Sequence, residues 1–259
     1  MDPLAQLSED VVVGPGCVID GPVKIGPGTT LLAQVHLRGN IVIGARNQVY
    51  PFAVLGGEPQ DRKFKPGDMN PQLPGLVIGD DNIFRESVTI HRATGSEPTR
   101  IGNNNMFMAG SHVAHDCSIG NHVTMVNSSL IGGHVHVQDM VTLGGNSSVH
   151  QHCRIGRLAF LSGSEALVKD LPPFCMVIGR RSVSCLNLVG IRRAGYRNHI
   201  KNLEKAFDIL FRQRHTNFFC GGAPDAGNGA RPFVHGIGGI CQQRQTRYRR
   251  LDGQGHFIP

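Results

Sequence analysis

Residues 101–167 read IGNNNMFMAGSHVAHDCSIGNHVTMVNSSLIGGHVHVQDMVTLGGNSSVHQHCRIGRLAFLSGSEAL. Every sixth residue in this stretch is apolar: Ile101, Phe107, Val113, Ile119, Met125, Ile131, Val137, Leu143, Val149, Ile155, Leu161 and Leu167. Amphipathic helices repeat near 3.6 residues and half-buried strands at 2, so a strict period of six fits neither. Gly follows the apolar residue at Gly120, Gly132, Gly144 and Gly156. The pattern implies short flat strands joined by tight corners, the signature of a hexapeptide parallel β-helix. The same ladder opens the chain in another phase, at Val13, Ile19, Ile25, Leu31, Leu37, Ile43, Val49 and Leu55, and a third register holds Ile78, Phe84 and Ile90. Two changes of phase mark two insertions.

The ladder is lost from Gly56 to Leu76, in GGEPQDRKFKPGDMNPQLPGL, whose Gly, Pro and charge favour an external loop. The second break, ATGSEPTR at 93–100, reads as another surface excursion. Loops thrown out of a rigid scaffold are where function tends to sit. An all-β solenoid is therefore expected over 1–174, with loop insertions near 56–76 and 93–100. After DLPPF at 170–174 the period stops, and Ile200, Leu203, Phe207, Leu210 and Phe211 take up helical spacing. This predicts a small α-helical C-terminal cap over 175–213. The remaining tail, 214–259, has nine glycines, no Lys and no Glu, a composition typical of disorder. A frameshift is the other reading of it. GGICQQRQTRYRR at 238–250, read one nucleotide out of register, can encode the helix-like EEFVSSAKRGIA, so a native terminus would have been replaced.

The net charge of +7 suggests an acidic partner until its distribution is examined. The tail carries six Arg against Asp225 and Asp252, a net of +4, which leaves +3 for the rest of the chain. No nucleic-acid partner is implied. There is no leader-like N-terminus and no run of about 18 apolar residues, so a cytoplasmic protein without a membrane span is expected. The seven cysteines (Cys17, Cys117, Cys153, Cys175, Cys185, Cys220, Cys241) are scattered and lack a C-x-x-C pair, as small core residues in a reducing compartment would be.

Three hexads close one triangular coil, so residues 18 apart stack at the strand spacing of about 4.8 Å. That step carries His115 to Gly133 and Gln151, and Asp116 to His134 and His152. Acyl transfer needs such a grouping. A neutral imidazole takes a proton from a hydroxyl nucleophile, a carboxylate orients the ring, and a Gly N–H stabilises the developing oxyanion. His115, Asp116 and Gly133 fit those roles. A lone His at a corner is ordinarily just solvated, but His112, His115, His134 and His150 fall within 39 residues, which favours function. A metal site is the competing use. Hexapeptide trimers of the gamma carbonic anhydrase type share histidine ligands across subunits, and His112, His115 and His134 could serve so. No pattern fixes three ligands on facing edges, and Gly133 beside His134 suits an oxyanion site, so the metal reading stands second.

Gln60-Asp61-Arg62-Lys63 offers acceptors and cations apt for sugar hydroxyls or a phosphate, although a solvated charge cluster is the simpler account of it. Arg180, Arg181, Arg192 and Arg193 could grip a pyrophosphate through bidentate donors, and surface solubility explains them about as well. His91, next to the ladder residue Ile90, reads on its own as solvated or structural.

Seven segments together resemble the acyl-carrier-protein-dependent UDP-N-acetylglucosamine O-acyltransferases that begin lipid A synthesis. They are QDRKF (60–64), RESVTIHRAT (85–94), HVAHDCSIGN (112–121), GGHVHV (132–137), VHQHCRIG (149–156), DLPPF (170–174) and NLVGIRRAG (187–195). The resemblance spans about residues 10–213. The H-x-A-H-D-C run and the Q-D-x-K loop are specific to this branch, whereas the ladder is shared by many unrelated transferases. The resemblance implies a left-handed β-helix, an exception to right-handed crossovers, with active sites between the subunits of a homotrimer. It implies acyl carrier protein and UDP-N-acetylglucosamine as partners, and no cofactor or metal, since the thioester supplies the driving force.

By the same resemblance His115 is the general base on the glucosamine 3-hydroxyl, Asp116 its orienting partner, and the Gly133 amide the holder of the thioester oxyanion. His112 and His134 contact substrate, as do Gln60, Asp61 and Lys63 from the loop. His150 and Gln151 meet the nucleotide-sugar, Asn187 and Arg193 the acyl hydroxyl and phosphate region, and His91 is a further substrate-site candidate. Gly163 stands where acyl length is limited, and a side-chain-free residue there implies a longer 3-hydroxyacyl chain. Three departures touch the cap and not the core chemistry: Val189 in place of an acidic residue, Ala194 in place of a basic one, and a missing terminal motif. The alternatives are a related sugar N-acyltransferase, a gamma-type metalloenzyme and a non-catalytic hexapeptide scaffold.

Overall fold

The computed structural model describes residues 1–65, 75–95, 97–179 and 182–212. Among them, three sheets of eight, ten and eight short strands wrap one axis. From Gln6–Leu7 to Ala166–Leu167 successive strands rotate through the three sheets in turn, and each pairs in parallel with the strand one coil away. The fold is a left-handed parallel β-helix. Its interior is the six-residue ladder: Ile101 pairs with Ile119, Ile119 with Val137 and Val137 with Ile155, and all are buried. Phe84 and Phe107 occupy successive coils and stack with centroids 5.0 Å apart and planes 11° from parallel. An inner column of buried asparagines satisfies corner amides that strand pairing leaves over. Asn47 Oδ1 accepts from the Asn82 amide, Asn82 Oδ1 from the Asn105 amide, and Asn105 Oδ1 from the Val123 amide.

Register measures the insertions. Ile43 pairs with Ile78, and Ile78 with Ile101. These steps span 35 and 23 residues against 18 elsewhere, so the excursions add 17 (35 − 18) and 5 (23 − 18) residues. Both are shorter than the sequence suggested, because strand pairing holds Val54–Gly57 and Leu76–Ile78 on one side and Thr99–Ile101 on the other. Both leave the third sheet at one corner, after Gly57 and after His91.

At the corners the residue in the left-handed conformation lies three after the ladder residue and is only sometimes Gly: Gly110 (φ 70°) follows Phe107, but elsewhere it is Asp116 (φ 60°), His122, Ser128, His134 (60°), Met140, Asn146 or His152 (65°). The Gly next to the ladder residue is required by close approach of the adjacent coil. A Cβ on Gly156 would lie 2.3 Å from the Pro173 nitrogen.

Strands Cys175–Val177 and Val183–Leu186 pair antiparallel and close the end of the coil. Helix α1 (Leu188–Arg193) follows, then a 3₁₀ turn (Arg197–His199), α2 (Ile200–Phe207) and a π turn (Asp208–Arg212). Leu203 and Phe207 are buried as the helical spacing predicts, but Leu210 and Phe211 are exposed. The wider π turn rotates them off the buried face. The rest of the tail with its suspected frameshift, Arg180 and Arg181, and residues 66–74 of the first excursion lie outside the described residues. Cys117, Cys153 and Cys175 are buried, Cys17 and Cys185 are half-buried, and none of these five forms a disulfide. Among the described residues no helix is long and apolar enough to cross a membrane.

Candidate active site

The strand His112–Val113 ends at the corner that holds His115 and Asp116, one coil beyond the second excursion. Asp is among the residues that tolerate a left-handed corner. His115 Nδ1 lies 2.6 Å from Asp116 Oδ2, and both side chains are largely covered, at 13% and 9% exposed. A carboxylate only accepts, so Nδ1 carries the proton and Nε2 keeps a free lone pair. Asp116 Oδ2 also accepts from Thr94 Oγ1 at 2.6 Å, and Oδ1 from the amides of Thr94 (2.9 Å) and Gly95 (3.1 Å). Burial alone would raise the Asp116 carboxyl. The donors from Thr94, His115 and Gly95 outweigh it and hold the group below the ordinary carboxylate range.

Gly133 sits directly against the His115 ring. A Cβ there would lie 2.9 Å from Cε1 and 3.0 Å from Nε2, so only a residue without a side chain lets the imidazole pack on this backbone. The amides on either side donate within the coil, Gly132 N to Val149 and His134 N to His115, whereas among the described residues no acceptor meets the Gly133 N–H.

The histidines form one continuous patch. His134 Nε2 is 3.7 Å from Asp116 Oδ2, and its ring stands edge-on to His115 (5.3 Å) and stacks on His152 (4.6 Å, 9°). On the other side His112 Nδ1 contacts Thr89 Oγ1 at 2.7 Å, and His91 packs edge-on to His112 at 4.7 Å. His91 is therefore buried rather than solvated, and its Nδ1 has no partner among the described residues. Burial, then His112 and His115, push it down to about 4, and burial and His115 lower His112 as well. A folded-state value below the ordinary 6.5 means that protons favour the unfolded chain. Stability should therefore be full above pH 6.5 and fall as pH drops toward 4, with part of that slope removed in His91→Asn. Melting temperature followed across that window tests this; a flat profile in the parent chain would contradict it.

The other expected site residues are placed as follows. Gly57, where the first excursion departs, pairs with His91, which brings the stretch carrying Gln60, Asp61 and Lys63 to the coil next to this patch. Asp61 Oδ1 accepts from the Lys63 amide, while Gln60 and Lys63 are exposed. His150 and Gln151 are exposed on the coil above, His150 Nδ1 lying 3.1 Å from the Gln151 carbonyl. Gly163 is exposed, and a Cβ there would meet only Gly145. Arg193 is exposed in the last turn of α1. Asn187 is buried, and its side chain is already used. Oδ1 caps α1 by accepting from Gly190 N, and Nδ2 donates to the Leu158 carbonyl. It fastens the cap to the coil through one donor and one acceptor of its amide.

A metal would find a different set from the one expected. The ligand atoms of His115, Asp116 and His134 lie within 4.8 Å of one another, with a carboxylate in place of His112. Two of those three are already joined by the 2.6 Å bond, and Asp116 Oδ2 also takes the Thr94 hydroxyl. The arrangement thus suits a proton relay better than a ligand set. Thr89, Thr94 and Gly95 were not singled out by the sequence, because the five-residue insertion breaks the step of 18 by which the column was counted.

A histidine with an orienting carboxylate on a hexapeptide coil defines a transferase of the hexapeptide class, and a model of six bacterial transferase hexapeptide repeats matches residues 98–133. A second model, UDP N-acetylglucosamine O-acyltransferase domain 2, matches residues 170–218. An acyl-[acyl-carrier-protein]–UDP-N-acetylglucosamine O-acyltransferase from Thermodesulfovibrio yellowstonii is 42% identical over 83% of each chain, and one from Pseudomonas aeruginosa is 40% identical over the same shares. Among solved structures, the UDP-N-acetylglucosamine acyltransferase of Francisella novicida superposes with a TM-score of 0.78 at 35% identity, covering 82% of this chain and 78% of that one. The enzyme of Acinetobacter baumannii gives 0.75 at 35% identity, over 83% of both. The chain belongs to the UDP-N-acetylglucosamine O-acyltransferase family.

Proposed function

We propose that this chain moves a 3-hydroxyacyl group from acyl carrier protein to the 3-hydroxyl of UDP-N-acetylglucosamine, the first step of lipid A biosynthesis. The observation that carries the reading is the His115–Asp116 pair packed on the Gly133 backbone, within a chain of this family. His115 Nε2 takes the proton of the sugar hydroxyl as its oxygen attacks the thioester carbonyl, and Asp116 stabilises the imidazolium that forms. The carbonyl π pair moves onto oxygen, where the Gly133 N–H is available to hold it. As the tetrahedral intermediate collapses, the C–S bond breaks and His115 returns its proton to the carrier thiolate. Ester and free carrier thiol leave, and the residues return to their starting state.

His134, 42% exposed and in line with His152, and the exposed His150 and Gln151 give the site an open side for the nucleotide-sugar. A neighbouring copy in a homotrimer would complete it. His112 and His91, both favoured in the neutral form, line the side toward the loop of Gln60, Asp61 and Lys63. The side-chain-free Gly163 leaves room for a longer acyl chain. A cytoplasmic location is the natural one for an enzyme that takes its acyl group from acyl carrier protein. Transfer from 3-hydroxyacyl carrier protein to labelled UDP-N-acetylglucosamine, without added metal, is the direct test, with sizing of the active species. Product from a three-chain assembly is expected. Activity that is lost on chelation and restored by zinc would instead favour the metalloenzyme reading.

A further inference from the structure

The second excursion adds only five residues to the coil, yet two of its residues converge on a single side chain. Its Thr94–Gly95 segment donates three hydrogen bonds to the Asp116 carboxylate and engages both of its oxygens. The strand that follows supplies Thr99 Oγ1, which accepts from the Asp116 amide at 2.9 Å and so anchors the backbone of the same residue. Thr94 itself is exposed, while the carboxylate it covers is not. Thr94 therefore adds little to the apolar core, and the geometry it imposes on Asp116 is its evident contribution.

We infer that Thr94 is a positioning residue for the transfer reaction: its hydroxyl and amide fix the Asp116 carboxylate so that Oδ2 meets His115 Nδ1. The inference rests on the role given above to the His115–Asp116 pair. Without the hydroxyl, the carboxylate keeps the two amide donors on Oδ1 but can rotate Oδ2 away from the ring. A misplacement of about 1 Å in a catalytic constellation costs on the order of 100-fold in rate. The anion also loses a donor that helps to hold Asp116 below the ordinary carboxylate range, so the carboxylate is protonated, and the pair disabled, at a higher pH. The titratable and charged groups facing the pair are His134, at 3.7 Å from Asp116 Oδ2, His112 with His91 behind it, and Glu97, Arg100 and His136, which line the same cavity as Asp116.

The test compares the full chain with Thr94→Val, which removes the hydroxyl at nearly constant volume, and Thr94→Ser, which keeps it; Thr94→Ala takes the place of Val should that variant not fold. Thr94→Val should lower kcat by roughly 10- to 100-fold with KM within about two-fold, and move the acid limb of the kcat profile to higher pH. Thr94→Ser should restore both. A readout independent of turnover is the downfield proton resonance of the hydrogen-bonded His115 imidazole, which should shift in Thr94→Val and return in Thr94→Ser. An unchanged resonance and kcat in Thr94→Val would overturn the inference, as would a Ser variant as impaired as Val. A resonance that shifts in a chain without transferase activity would leave the positioning role standing and remove the proposed function instead.

Discussion

Replacing His115 by Ala is expected to lower kcat for acyl transfer by about 10²- to 10⁴-fold, the range that a positioned general base contributes. The ring makes one strong side-chain hydrogen bond, to Asp116, and packs on the Gly133 backbone without entering the interior of the coil. Melting temperature should therefore change little, and a loss of activity reads as lost chemistry. Activity should not vanish entirely, because the free Gly133 amide and the substrate contacts remain. Steady-state transfer assays on the parent and variant chains decide the matter. A variant within three-fold of the parent would remove His115 from the role of base and leave the non-catalytic scaffold as the better account.

The second large effect falls on stability. Phe107 is fully buried and stacked on Phe84 in the next coil, so Phe107→Ala should cost about 3–5 kcal/mol through lost transfer energy and an unfilled cavity. For a chain of this size that corresponds to a fall of about 10 °C in Tm. In a solenoid each coil contacts only its neighbours, so the defect weakens the stack between the coil that carries the second excursion and the coil that carries His115 and Asp116. Thermal melting followed by circular dichroism measures it. A fall below about 2 °C would mean that the phenylalanines are not the packed ladder described here.

The coil and much of the site could be read before any coordinates, for one geometric reason. Where the step is an uninterrupted 18 residues, simple addition places side chains above one another. His115 over Gly133, and Asp116 in line with His134 and His152, follow from that rule. Where an insertion intervenes, addition fails. Thr89 meets His112 across 23 residues and Thr94 meets Asp116 across 22, distances that have meaning only once the length of the excursion is known. The first insertion likewise conceals the burial of His91, which pairs with Gly57, 34 residues earlier. The glycines next to the ladder residues allow the coils to touch, while the bend two residues further on is made mostly by Asp, His, Ser, Asn and Met in left-handed conformation, with Gly110 among the exceptions. In the cap, periodicity alone could not anticipate the π turn that exposes Leu210 and Phe211, nor that Asn187 spends its amide on capping.

Both excursions and the His115–Asp116 pair occupy one corner of three consecutive coils, while the ladder pairs across each insertion as if nothing had been added. The coil therefore behaves as a ruled scale on which content can be exchanged at one edge without redrawing the divisions. Lengthening or shortening the first excursion alters the loop that leaves beside His91 and leaves Ile43 opposite Ile78. A whole coil could likewise be added beyond the site, in units of one turn, without disturbing the pair. Variation in this architecture is thus quantised along the axis and continuous at the corner, which separates the selection of substrate from the maintenance of the fold.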